Sequence, residues 1–207
     1  MLYQFLLPFK DLISVFNLFE YITFRAAIAS ITALIISFII GPWVIHILHK
    51  NHIGEEIRQA GPKSHMEKEG TPTMGGVIIL MAVLLPTLLF AKVNSVLIQI
   101  IAFATIWMGI IGFLDDYLKV VKKIKRGLIA RYKLAGQILL GCIVSFWIFN
   151  TPDFIDFNTK TTVPFFKNVE IDFGLLYPLM VILVITGTSN AVNLTDGLDG
   201  LLAGLLA

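Results

Sequence analysis

The sequence predicts an all-α polytopic membrane protein: five complete transmembrane helices plus the start of a sixth, the N-terminus outside, and a small extracytoplasmic β-hairpin. Three observations carry this reading. Of 207 residues, 57% are hydrophobic and only 14% charged, against roughly 45–50% and about 25% in ordinary soluble chains. No Asp, Glu, Lys or Arg occurs in residues 26–49, 70–91, 93–114, 134–152 or 173–195. About 20 apolar helical residues span a bilayer core, so each run is long enough for one crossing. Finally, eleven of the sixteen basic residues fall in two connections, at Lys50, Arg58, Lys63 and Lys68 and at Lys119, Lys122, Lys123, Lys125, Arg126, Arg131 and Lys133. A soluble, disordered or disulfide-stapled protein is excluded. A net charge of +2 is too small to indicate nucleic acid, and no such partner is expected.

The elements follow in order. Residues 1–207 read as a single integral membrane domain. Leu2, Phe5, Leu6, Phe9, Leu12, Ile13, Phe16 and Phe19 recur three or four apart, which predicts a helical stripe in an interfacial segment over 1–23. Packing of the stripe against other helices accounts for the spacing equally well. Lys10 and Asp11 interrupt the segment and no basic stretch precedes it, so a signal peptide is not expected. The two basic connections lie on one side if every run crosses once, and the excess of Lys and Arg makes that side cytoplasmic. The cytoplasmic loops are then 50–74, 115–133 and 188–199, and the extracytoplasmic loop is 150–174. The basic third connection also suits contact with anionic lipid. Within 150–174, the stretches 161–166 and 169–173 favour short strands and predict the hairpin. The single cysteine, Cys142, reads as a small buried apolar side chain. A sixth charge-free run begins after Asp199 and reaches Ala207, about eight residues against the roughly 20 that a crossing needs.

Polar groups at membrane depth are costly, so they direct attention to function. Three clusters fall at the predicted cytoplasmic ends. The first is Lys63 to Gly76. Thr71 or Thr73 can cap a helix, Pro72 suits a first turn, Gly75 and Gly76 admit a second backbone, and Lys68 adds charge where free N–H groups attract anions. A plain capped helix start explains this cluster by itself, and the ending of a Walker A loop is missing. The second is Asp115-Asp116-Tyr117-Leu118-Lys119. A helix C-terminus disfavours carboxylates, and two adjacent ones repel. Lys119 can reach either Asp if the helix continues, and a Mg²⁺ ion would offset the charge better. The third is Asn190 to Gly200, where Asn190, Asn193, Asp196 and Asp199 recur every third residue and Gly197 and Gly200 argue against regular helix throughout. Asp196 can cap a helix, but the cluster is richer than a cap requires. His65 reads as a solvated loop residue. His46, His49 and His52 read as interfacial side chains rather than a metal face.

Carboxylates, amides, lysines and glycine turns gathered on one membrane face suit phosphoryl transfer between a soluble and a lipid phosphate. That chemistry is mostly positioning and charge neutralisation. At this point the residues resemble a known family. Gly70-Thr71-Pro72-Thr73-Met74-Gly75-Gly76, the Asp115–Asp116 pair and the Asn190–Gly200 segment are similar to those of the phospho-N-acetylmuramoyl-pentapeptide transferases, across essentially the whole chain. The resemblance implies transfer of phospho-MurNAc-pentapeptide from UDP-MurNAc-pentapeptide to undecaprenyl phosphate. The products are lipid I and UMP, and the site faces the cytoplasm at the bacterial inner membrane. It implies catalytic Asp115, Asp116 and Asp196, with Asp115 and Asp116 contacting Mg²⁺. A uridine pocket would comprise Lys68, Gly197, Leu198 and Asp199. Thr73, Asn190 and Asn193 would line the diphosphate region, and Lys119, Lys123 and Lys133 would contact phosphate. Which Asp serves as base stays open. Relatives in this family continue with a third essential Asp and a His-containing loop, so the chain is expected to be the N-terminal part of a longer transferase and inactive by itself. A GlcNAc-1-phosphate transferase is the nearest alternative. An ion-coupled transporter is the alternative of another class, although its carboxylates would be expected near mid-span, and a non-catalytic assembly subunit is a third. A homodimer is left open, since helices containing Gly and Ala can pack but nothing in the sequence selects it.

Overall fold

The computed structural model describes residues 2–10, 13–50, 74–124, 127–154, 159–163, 165–166 and 169–196. It divides into two compact units, Met1–Leu128 and Ile129–Ala207, each taken here by itself.

The first unit begins with α1 (Leu2–Leu6), followed by 3₁₀ turns at Leu7–Phe9 and Ser14–Glu20. The continuous stripe expected over 1–23 is therefore broken into short pieces. Lys10 Nζ donates to Glu20 Oε1 at 2.9 Å and ties the segment back on itself. Next come α2 (Ile22–Lys50), α3 (Gly76–Phe90) and α4 (Val96–Val120), with α2 packed on α3 and α3 on α4. The apolar side chains of α2 are exposed around much of its circumference, with Ile22 at 72% and Phe38 at 78%. A helix apolar all round is stable in lipid, not in water.

Among the described residues, four helical segments are long and apolar enough to cross a membrane: Ile22–Lys50, Val96–Val120, Ala130–Phe149 and Gly174–Thr195. The second expected span is shorter than the charge-free run 70–91. Helix α3 has 15 residues, about 22 Å at 1.5 Å per residue, against a hydrocarbon core of about 30 Å. Met74 takes a positive φ of 72°, which a helix does not accommodate, so regular structure starts only at Gly76. Thr71, Pro72 and Thr73, expected at its cap, lie outside the described residues. Among the described residues, a Cβ at Gly75 or Gly76 meets nothing within 4 Å.

Polar side chains inside the apolar helices find partners on their own helix. Thr32, Thr87, Thr105, Ser145, Thr186 and Thr188 each donate to the carbonyl four residues back, at 2.6–2.8 Å. In a medium without water, this local bond removes the cost of a bare hydroxyl.

The second unit is an antiparallel pair, α5 (Ala130–Phe149) and α6 (Tyr177–Asp196). Gly141 sets its spacing. A Cβ there would lie 2.7 Å from Ile182 Cγ1 and 3.0 Å from Ile182 Cα. Small residues at such crossings let membrane helices pack by close contact. Gln137 and Leu140 are fully buried, with Val144 and Ser145 beside them. Cys142 departs from its expected burial. It is exposed, on a part of α5 turned away from this seam. Phe149 and Tyr177 close the far end edge-to-face at 6.1 Å.

Between the helices, β1 (Lys160–Thr162) and β2 (Glu170–Asp172) form an antiparallel hairpin with Thr161 opposite Ile171. Its strands are shorter than the stretches read from the sequence. Asp172 Oδ1 accepts from Thr159 Oγ1 at 2.6 Å and from the Gly174 N–H at 2.9 Å. The Thr159 hydroxyl and then the Gly174 amide hold the Asp172 carboxyl below its ordinary value of 3.8; desolvation opposes them, and the Lys160 charge adds the smallest downward pull.

Two outcomes follow from this packing. Gly141→Leu should push α5 from α6 and lower thermal stability in detergent by about 1–3 kcal/mol. Gly112→Leu, where among the described residues a Cβ meets nothing within 4 Å, should cost less, and equal effects would remove the close contact as the cause. For the hairpin, a folded-state pKa below the unfolded one means stability present above 3.8 and lost as pH falls through the lower folded value. The Gly174 amide shift, followed by NMR, should titrate with a midpoint below 3.8; a midpoint at or above it would exclude the arrangement.

Candidate functional site

The Asp115–Asp116 pair lies on the last turns of α4, which runs on to Val120. The local ion pair explains the extension. Lys119 Nζ donates to Asp115 Oδ2 at 2.8 Å, with the acid four residues N-terminal to the base, the order that best supports a helix. Beyond Val120 the chain turns sharply. Lys122 N donates to Tyr117 O at 3.2 Å and Ile124 N to Leu118 O at 3.0 Å, which satisfies carbonyls left open by the helix end. Lys123 adopts φ +53° within this turn, a left-handed conformation that costs an L-residue roughly 1–2 kcal/mol.

The returning loop then reaches Asp115 itself. The Leu128 N–H donates to Asp115 Oδ1 at 2.8 Å. Each carboxylate oxygen thus has a donor, one charged and one neutral, and the Asp115 side chain is only 14% exposed against 46% for Lys119. Gly127 makes this approach possible. Its φ is +59°, and a Cβ there would run into Asp115 Oδ1 and stand 2.6 Å from Lys119 Cε. Sequence reasoning passed over Gly127. Its only signal was a lone glycine after the basic run Lys122 to Arg126, and only the folded loop reveals what it touches. Asp116 is half-buried and also engaged. It projects about 100° around the axis from Asp115, at 3.6 residues per turn. Phe113 and Tyr117 stack beside the pair at 6.3 Å.

The pair has the donor chemistry for Mg²⁺, which takes hard oxygen ligands from one or two carboxylates. Among the described residues, no three His, Cys, Asp or Glu side chains gather as a metal group.

In the second unit, Asn190, Asn193 and Asp196 all lie on α6, which continues through Asp196 rather than ending in a loop at 188. The polar face of α6 meets α5. Lys133 Nζ donates to Asn193 Oδ1 at 3.2 Å. One turn further, Gln137 Nε2 donates to Ser189 Oγ and Asn190 Nδ2 donates to Gln137 Oε1, each at 2.9 Å. Gln137 was not singled out from the sequence, since nothing in its one-dimensional setting says that it faces α6. Lys68, Thr73, Gly197, Leu198 and Asp199 lie outside the described residues, as do His52 and His65.

Gly127→Ala should disturb the Asp115–Lys119 pair through both backbone strain and contact. The strain alone is on the order of 1–3 kcal/mol. Thermal unfolding in detergent should report that loss, and a Leu128 amide that leaves its Asp115 bond should shift by NMR. An unperturbed Leu128 amide in the variant would contradict this role for Gly127.

Comparisons with known proteins bear on the family. The description "Glycosyl transferase family 4" matches residues 98–207, which include both polar helix ends. The phospho-N-acetylmuramoyl-pentapeptide-transferase signature 1 matches residues 68–80. The chain is 48% identical over 206 residues to the phospho-N-acetylmuramoyl-pentapeptide-transferase of Chlorobaculum parvum, covering 99% of this chain and 56% of that protein. It is 49% identical over 207 residues to that of Pelobacter propionicus, covering 100% and 57%, and 47% identical over 207 residues to that of Geobacter sp., again 100% and 57%. The chain therefore spans about half the length of the curated relatives it matches. A match over more than half of its residues, with both polar helix ends inside it, places the chain in glycosyl transferase family 4.

Proposed function

We propose that the protein containing this chain transfers phospho-MurNAc-pentapeptide from UDP-MurNAc-pentapeptide to undecaprenyl phosphate in the bacterial inner membrane. One observation carries the reading. Asp115 is a carboxylate at the end of an apolar helix, pinned from two sides instead of left to solvent, in a chain nearly half identical to named transferases over its whole length. A mere anchor has no need of a positioned carboxylate. A phosphoryl-transfer site does, because its catalysis is positioning plus charge stabilisation.

In this reading a lipid-phosphate oxygen attacks the sugar-bearing phosphorus, the P–O bond to UMP breaks, and UMP leaves with the electron pair. Mg²⁺, when bound, neutralises charge on the diphosphate and makes the phosphorus more electrophilic. Asp115 and Asp116 would hold it. Lys119 keeps Asp115 in register, and Lys123 on its strained turn brings a positive charge to the same end of α4. Lys133 and Asn193 would meet phosphoryl oxygens, and Asp196 would be a further catalytic carboxylate. Lys68 with Gly197, Leu198 and Asp199 would take the uridine, and Thr73 the diphosphate. The basic connections orient this face to the cytoplasm; the five charge-free runs each cross the bilayer and the hairpin lies outside. The muramoyl donor is favoured over a GlcNAc donor by the signature at residues 68–80.

The test is release of UMP by the whole protein in membranes, with both substrates and Mg²⁺. Asp115→Asn and Asp116→Asn should each lower the rate by roughly 100-fold or more, the scale for losing a preorganised charge, with insertion and folding unchanged. Unaltered product from either inserted variant would remove that Asp from the mechanism.

A further inference from the structure

The buried Gln137 fixes what Asn190 can recognise. Asn190 Nδ2 donates to Gln137 Oε1 at 2.9 Å and also to the backbone carbonyl of Thr186 at 2.7 Å. A backbone carbonyl only accepts, so the Asn190 atom facing Thr186 must be the nitrogen. That settles the flip of the amide on chemical grounds. Gln137 then has to present its oxygen to Asn190 and its nitrogen to Ser189 Oγ, which accepts at 2.9 Å. An Asn side-chain nitrogen carries two hydrogens. Both are used within the α5–α6 pair, and Asn190 itself is exposed. The group it offers outward is Oδ1, an acceptor.

A phosphoryl oxygen is also an acceptor, and two acceptors facing each other repel. Asn190 in this orientation is therefore unsuited to the diphosphate and suited to a hydroxyl or N–H donor. Asn193, one turn on, has the opposite polarity. Its Oδ1 accepts from Lys133 Nζ at 3.2 Å, so the hydrogens on its Nδ2 and the remaining Lys133 hydrogens are the donors this pair has for an anion. We infer that Gln137 is a positioning residue that makes Asn190 an acceptor-only group, so that the two asparagines divide one substrate. Asn193 with Lys133 takes phosphoryl oxygens, and Asn190 takes a hydroxyl or N–H of the attached sugar or nucleoside. This assignment rests on the nucleotide-sugar reading above and changes the part of Asn190 within it.

The experiment is NMR of the chain in detergent micelles with ¹⁵N-labelled Asn and Gln side chains. Without ligand, both Asn190 Nδ2 protons should resist solvent exchange. In Gln137→Met one of them should exchange faster by roughly tenfold, the factor that one such hydrogen bond is worth, while the Thr186-bonded proton stays protected. Gln137→Glu, whose carboxyl still accepts from Asn190, should restore protection. A purely structural role for Gln137 would not separate the two protons. The Gly141–Ile182 contact is untouched by either variant and keeps the helix pair together. Inorganic pyrophosphate added to the native chain should shift the Asn193 amide and leave that of Asn190 in place. A shift at Asn190, or at neither asparagine, would overturn the assignment, and this arm needs no variant. The exchange readings involve no turnover. Loss of the transferase reading would appear instead as absent UMP release by the whole protein with Asn190 protection intact.

Discussion

A bilayer offers no water to polar groups, and the rest of this structure follows from how each is partnered within the chain. An unsatisfied N–H, carbonyl or hydroxyl in hydrocarbon costs several kcal/mol, on the order of a protein's whole stability. The mid-span hydroxyls therefore bend back onto their own helices, as at Thr105 and Ser145. Larger polar groups cannot do so. Gln137 is shielded completely, and it is tolerated because Ser189 and Asn190 use both ends of its amide. Full ionic groups are kept to the helix ends, where water or a headgroup is within reach.

The same constraint couples packing to the candidate site. Along α5, Lys133, Gln137, Gly141 and Ser145 recur every fourth residue, close enough to the helical period to form one seam. Gly141 brings the backbones together at Ile182, and that closeness lets the Gln137 amide span the gap to α6. Without it the amide would have no partner, and an unpaired buried amide is worse than an apolar residue. The groups at the end of α6 thus inherit their orientation from a contact several turns away. In the first unit Gly127 has a comparable place, since the loop can press on Asp115 only where no Cβ intervenes.

Much of this was legible in the sequence, for an identifiable reason. Excluding charge from hydrocarbon is a strong, one-dimensional rule, so four charge-free runs correspond to the long helices beginning at Ile22, Val96, Ala130 and Tyr177. The hairpin was legible from alternation. The polar clusters could be found because they sit where an apolar run stops. What escaped depends on φ angles and on which face meets which. The helix at 76–90 starts late because Met74 leaves helical space, and α4 outlasts its charge-free run because Asp115 and Lys119 pair across one turn. The N-terminal stripe has helical spacing, but short 3₁₀ turns realise only pieces of it. Cys142 looks buried by composition and faces outward by phase. Gly127 and Gln137 were invisible, since a glycine near a basic run and a glutamine in an apolar helix acquire meaning only from the atoms opposite them.

The position of the carboxylates bears on the choice between a transferase and a transporter. An Asp at a helix C-terminus works against the helix dipole, and a second one beside it adds repulsion. For simple anchoring, lysine would be the better residue there. The chain instead keeps Asp115 and offsets it with the Lys119 ammonium and the Leu128 N–H, at the cost of a left-handed Lys123 and a glycine that nothing can replace without contact. Strain of that kind persists where the surroundings hold a group for use. A transporter would need its charge near mid-span, and the long apolar stretches of α4 and α6 carry none. In the proposed reaction, a charge held at the helix end would meet a water-soluble nucleotide and a membrane-held phosphate at one boundary, as transfer between the two requires.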